Sequence, residues 1–291
     1  MYKLNIGKGY RFLVVIFCLF TVNPLFSQET SLSAKGTLKA MFDSVYSVKQ
    51  IKFEMFSQER VGGEFKKSHA KGAINFEPRK IFIRGFDEDG SLASEVLFIK
   101  GTNSNNALIS PNGFPFININ LDPVGETMRK DRHFTILEAG GRHLVDMLKK
   151  GMVLYESMGN ESSRFEIENI SSTEIKVSIN NADYKIIQYQ VKENETTRKV
   201  AFDNGVPEYK IVELNQDVSG YGSLEKGNFI QIPNLYAKKV EIILRAKDLI
   251  PMQVRIFDDK GLYSEYVYSV FDTHPNLGSE TFNKENPAYT F

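Results

Sequence analysis

One cysteine, no tryptophan and no excess of either charge sign mark a chain of 291 residues. Lys+Arg and Asp+Glu number 36 each, so there is no electrostatic case for nucleic acid, whose phosphates are held by clustered Lys and Arg. A lone thiol, Cys18, rules out an internal disulfide framework. No apolar run reaches the ~20 residues that a bilayer-spanning helix needs. A G-x-S-x-G elbow and a Walker loop are missing, and Gly220 and Gly222 are followed by Glu225, which breaks a strict G-x-G-x-x-G. What the chain does have is aromatic surface, 22 Phe and 13 Tyr, enough apolar area to offset the entropy of folding.

The N-terminus reads as a secretory signal peptide. Lys3, Lys8 and Arg11 precede the apolar run 12–22, Asn23 and Pro24 break it, and the chain turns polar at Ser27 and Gln28. Cleavage is expected after Ser27; the rival reading is an uncleaved N-terminal anchor. Ile16 and Phe17 stand where a lipid-anchored protein would carry small residues before Cys18. Loss of residues 1–27 removes Cys18 and three positive charges, which leaves a thiol-free, mildly acidic chain.

Beyond residue 30, Leu38, Met41, Phe42, Val45 and Val48 share one helical stripe and predict a helix over 31–48. The period then shifts to two. Ile51, Phe53 and Met55 alternate with polar residues up to Arg60, Gly62-Gly63 reads as a hairpin turn, and strands follow at 64–77, 80–84 and 94–100. The last of these is apolar on both faces, as in a strand covered from both sides. Residues 103–132 read as a long aromatic loop, 134–150 as a second helix weakened by Gly140-Gly141, and 197–234 as a loosely structured insertion. The remainder alternates as strands, including 186–191. The expected fold class is α+β, a large curved antiparallel sheet forming an unclosed half-barrel, with helices over its concave face in a single domain 28–291.

Candidate chemistry is sparse. The four histidines are His69, His133, His143 and His274; on one helix, His133 and His143 would lie about 80° and roughly 15 Å apart, unsuited to a shared metal. No metal site or cofactor is expected. Asp122, Arg129 and His133 are the group from which a hydrolase would have to be built, with a solvated charge cluster as the plainer reading. Glu59, Glu64, Asp87 and Asp89 read as hydrophilic turn residues.

The stretches 57–63, 109–115, 121–123, 128–136 and 282–289 (SQERVGG, ISPNGFP, LDP, MRKDRHFTI and FNKENPAY) resemble an exported family known only as a domain of unknown function. The order of helix, β-meander, helix and second meander behind a signal peptide resembles the periplasmic lipoprotein carriers LolA and LolB. That resemblance implies a location in the periplasm of a gram-negative bacterium, no assigned catalytic residues, and a concave face that shields acyl chains of a lipid or lipoprotein. The expected ligand-binding residues are Phe53, Met55, Ile81, Ile83, Phe98, Leu144 and Met147, the Phe- and Met-rich inner faces of the strands and second helix. The plainer reading makes the same residues a dry core. An envelope-assembly partner without a small ligand is the competing class.

Overall fold

A computed structural model describes residues 33–114, 116–157, 164–216 and 220–291, of which 155–157 only as backbone. The expected signal peptide and its cleavage point lie outside the described residues. Helix α1 (Ala34–Ser47) starts where the Ser33 hydroxyl accepts from the Gly36 amide at 3.1 Å. Its buried stripe of Leu38, Met41, Phe42 and Val45 is the one the spacing predicts. Six strands follow: β1 (Gln50–Val61), β2 (Glu64–Asn75), β3 (Lys80–Phe86), β4 (Leu92–Ile99), β5 (Ala107–Pro111) and β6 (Ile119–Leu121). After a short helix α2 (Glu126–Arg129) comes α3 (Arg142–Ser157). The second half holds β7 (Phe165–Asn169), β8 (Glu174–Asn180), β9 (Ile186–Gln190), α4 (Thr197–Asn204), α5 (Glu208–Leu214), β10 (Phe229–Pro233), β11 (Lys239–Arg245), β12 (Ile250–Asp258) and β13 (Gly261–Asp272).

Eleven of the strands form one antiparallel sheet in the order β6-β5-β4-β3-β2-β1-β13-β12-β11-β8-β7. The sheet is open, and the class is α+β as expected. The two meanders are joined by the pairing of β1 with β13. Register shifts where β1 meets β13, β3 meets β4, β11 meets β12 and β12 meets β13 leave one extra residue on β13, β4, β12 and β13 in turn, which bends and twists those strands. Inner-face residues of both meanders, among them Ile51, Ile81, Val177, Ile242 and Val254, meet α1 and α3 in one apolar core.

Four expectations need correction. Residues 103–132 are not only a loop, because β5 and β6 extend the sheet; three-residue β6 is too short for alternation to show. The second helix does not run through Gly140-Gly141. Both glycines have positive φ, +96° and +87°, a conformation that halts a right-handed helix. A Cβ on Gly140 would also come within 2.8 Å of the Phe76 ring. Nor is the insertion loose. α4, α5 and β10 enclose their own apolar cluster of Val191, Val200, Val206, Ile211, Ile230 and Ile232. Strand β9, expected in the main sheet, pairs with β10 instead.

The outer face of the first meander is also covered. The C-terminal segment lays Phe282 and Tyr289 against Ala73, Phe82 and Leu97, with Tyr289 stacked on Phe82 at 3.9 Å. Beneath it the fully buried Glu95 carboxylate accepts from the Thr290 hydroxyl at 2.9 Å and from Arg84 Nε at 2.7 Å. This second covering is why β4 is apolar on both faces.

The β1–β2 turn provides a direct test. Gly62 and Gly63 have φ of +60° and +88°, and a Cβ at either would touch nothing within 4 Å, so any penalty is conformational. Replacing both by Val should lower stability by more than ~1 kcal/mol, whereas Gly62→Asn, a residue at home in such a turn, should be tolerated. Denaturant midpoints that rank the variants otherwise would show that this turn does not require positive φ.

Candidate functional site

The inner face of the first meander is built in rows, one residue from each strand. The first row, Ile51, Ile74, Ile81, Phe98 and Ala107, is sealed, with no member more than 4% exposed. Two residues further along β1, the second row is Phe53, Gly72, Ile83, Val96 and Ile109. Here the Phe53 ring lies across Gly72, where a Cβ would come within 2.9 Å of it. The third row is Met55, Ala70, Gly85, Ser94 and Pro111. Beyond it Ser57 and Ser68 share a hydrogen bond of 2.6 Å.

Side chains thus shrink along the strands while the backbone spacing stays constant, and the sheet and its cover separate. A cavity of about 480 Å³ occupies the gap, within the range of small-molecule sites. Its floor is the second and third rows apart from Gly72 and Pro111, with Val254, Ile256 and Tyr268 of the second meander. Its roof is Leu144 of α3 together with segment 134–141. Lys130 and Arg132, both exposed, stand at its rim. On the neighbouring β5–β6 connection, Phe114 and Phe116 are 91% and 75% exposed.

The expected ligand-binding residues therefore divide. Phe53, Met55, Ile83 and Leu144 line the cavity. Ile81 and Phe98 belong to the sealed row, and Met147, 1% exposed, packs in the core and borders the cleft on the α4 side of α3; none of these three lines this cavity. Inward alternation marks a face but does not say how far along a strand the packing ends.

Sequence reasoning missed the polar part of the wall. Glu59 was expected at a turn, yet β1 continues past it to Val61 and turns it inward. It is 3% exposed and lines the cavity. The His133 amide donates to its Oε2 at 3.2 Å, and the Tyr266 hydroxyl donates to its Oε1. Tyr236, 4% exposed, lines the same region. Burial, with the charges of Glu138 and Glu59, pushes its phenol well above the ordinary range, so it remains a protonated donor. The usable signal was the parity of β1, which places Ile51, Phe53, Met55, Ser57 and Glu59 on one face.

Asp122, Arg129 and His133 are each engaged separately. Asp122 accepts from the Val124 amide at 3.0 Å. Arg129 is buried, pairs with Glu208 of α5 at 2.8 Å and lies 3.5 Å over the Tyr221 ring. His133 is sandwiched between Tyr209 and Tyr263, with Nε2 2.9 Å from the Arg60 carbonyl oxygen. Lys210 of α5 pairs at 2.8 Å with Asp258 of β12, a carboxylate that Arg60 of β1 also engages, which fastens the insertion to the main sheet, while Arg129–Glu208 ties it to α2. No group of three or more metal-ligating side chains occurs among the described residues. No helix among them is long and apolar enough to cross a membrane. A second cleft of about 350 Å³, between α3 and α4, mixes Arg79, Arg142 and Arg198 with Glu138, Asp146 and Glu208.

No family model matches the chain, and no curated protein matches it. Among solved structures it is similar to a DUF1329 family protein from Desulfovibrio piger, with 8% identity, a TM-score of 0.33, and coverage of 87% of this chain and 98% of that one. It is also similar to lipoprotein LppX of Mycobacterium tuberculosis (9% identity, TM-score 0.36, 84% and 98% covered). LprF of Mycobacterium bovis is a third (9% identity, TM-score 0.38, 84% and 95% covered).

The setting of His133 predicts a pH dependence. Burial holds its imidazole below the ordinary value of 6.5, so it binds a proton less readily in the fold than in the unfolded chain. Its contribution is fully present above pH ~6.5 and is lost as the pH falls further, at no more than about 1.4 kcal/mol per pH unit. Denaturant unfolding at pH 7.5 and 5.5 should show this loss, and His133→Gln, though weaker at pH 7.5, should show a shallower one. Equal slopes would place the titration elsewhere.

Proposed function

We propose that this chain is an exported binding or carrier protein that holds the acyl chain of a lipid or lipoprotein between its sheet and its helices. The observation that supports the reading is the cavity. Its floor is graded from a sealed row of Ile and Phe to a row of Ala, Gly and Ser, so the gap is written into the sequence of four adjacent strands. A core with no function would be expected to close, because unfilled apolar volume is destabilising. Phe53, Met55, Ile83 and Leu144 supply adaptable apolar contact. The basic start and short apolar run at the N-terminus support export.

Filling the cavity is the test. Ala70→Leu and Ser94→Leu each add bulk to the third row without adding charge. In each, binding of an uncharged fluorescent acyl probe should weaken by about tenfold or more, while the melting midpoint stays within a few degrees of the parent. Undiminished binding in both variants would place the ligand elsewhere or show that there is none. Export is tested independently, since intact-mass analysis of the secreted or periplasmic form should find a chain beginning at Gln28.

A further inference from the structure

Single apolar side chains exposed on a surface are ordinary, but here they gather in one place. Among the described residues, three of the four most exposed large apolar side chains, Phe114, Phe116 and Ile117 at 91%, 75% and 62%, fall within four successive positions of the β5–β6 connection. The base of that connection is fixed. The Asn112 amide donates to the Ala93 carbonyl at 2.8 Å and its side chain to the Leu92 carbonyl at 2.6 Å, while the Phe116 amide closes a turn on the Gly113 carbonyl at 2.7 Å. The rows of the sheet place it as well. Ala107, Ile109 and Pro111 of β5 belong to the first, second and third rows, so residues 112–118 extend past the third. They stand at the end where bulk runs out and the sheet parts from its cover.

Size and charge narrow the partner. The apolar area exposed by these three side chains is on the order of 400 Å², about half of what each partner contributes to a standard protein interface. A bilayer interface asks for less, since a few apolar side chains sunk among the head groups supply the binding. The charges nearby do not favour an anionic surface, because exposed Lys130 and Arg132 are outnumbered by Asp131 and by Asp87, Glu88 and Asp89 of the turn before β4. We propose that the β5–β6 connection docks on a phospholipid bilayer with zwitterionic head groups, inserting Phe114, Phe116 and Ile117 and turning the open end of the cavity toward the lipid. An acyl chain then passes between bilayer and cavity without crossing bulk water. The purpose of the contact rests on the carrier reading, while the contact itself stands on the exposed side chains alone.

The experiment uses the protein isolated after export, every variant carrying the same N-terminus, and phosphatidylcholine vesicles. The chain has no tryptophan, so Phe114→Trp places a single reporter in the connection; Phe229→Trp, at a 59% exposed position of the insertion, is the control. With vesicles added, the emission of Phe114→Trp should shift to the blue and be quenched by brominated acyl chains, and that of Phe229→Trp should do neither. The double variant Phe114→Ser with Phe116→Asn, asparagine being suited to the φ of +56° at that position, should float with vesicles about tenfold or more weakly than the parent. Its affinity in solution for the uncharged fluorescent acyl probe should be unchanged. No flotation of the parent, equal flotation of both proteins, or flotation only with anionic vesicles and abolished by high salt overturns the docking and leaves the carrier reading standing. A dimeric parent and a monomeric double variant overturn it in favour of a second copy on the patch. Flotation of the parent through these side chains without any binding of the probe overturns the carrier reading alone.

Discussion

Two helices cannot cover eleven strands, and most of this structure answers that mismatch. Strands about 4.8 Å apart make a sheet roughly 50 Å wide when unrolled, while a helix with its side chains spans only about 10 Å. Bending brings both meanders onto α1 and α3, and the segment 134–141 roofs part of what remains. The C-terminal segment solves the same problem on the opposite face, over Phe82 and Leu97. The cavity is the portion of the inner face that these elements cover without filling.

Its position follows from volume. In β1 the inward residues run Ile51, Phe53, Met55, Ser57 and Glu59, and in β4 they run Phe98, Val96 and Ser94. Both series decline in bulk or apolarity in the same direction, and the registers of β2 and β3 set Ala70 and Gly85 beside Met55 and Ser94. The apolar and polar halves of the site are therefore successive positions on the same strands. Where bulk runs out, polar atoms begin, and Glu59 stands at that boundary.

Much of this was legible from the amino-acid order. The stripe of α1, the Gly62-Gly63 turn and the alternation of β1 to β4 are local features, and local features carry their own periodicity. The short pieces were not legible: β6 has three residues, α4 eight and α5 seven, too few repeats for a period to stand out. Insertion helices bearing glycine and proline nearby read as a loosely structured segment, although buried ion pairs such as Lys210–Asp258 and Arg129–Glu208 hold them in place. Such long-range pairs leave no local signal. Glu59 was misread for the opposite reason, since a carboxylate three residues before a glycine turn looks like part of the turn unless the strand is followed to its end.

The junction of β1 with β13 also sets an order in time. Gln58 and Glu265, which hydrogen-bond across it, are 207 residues apart in the chain. Hairpins within each meander close over short loops, but this pairing closes the longest loop in the sheet, and contacts of large sequence separation form slowly. Val254, Ile256 and Tyr268 reach the cavity only through that junction. A chain with its hairpins formed and this junction still open would have no enclosed cavity, so the cavity belongs to the final stage of folding.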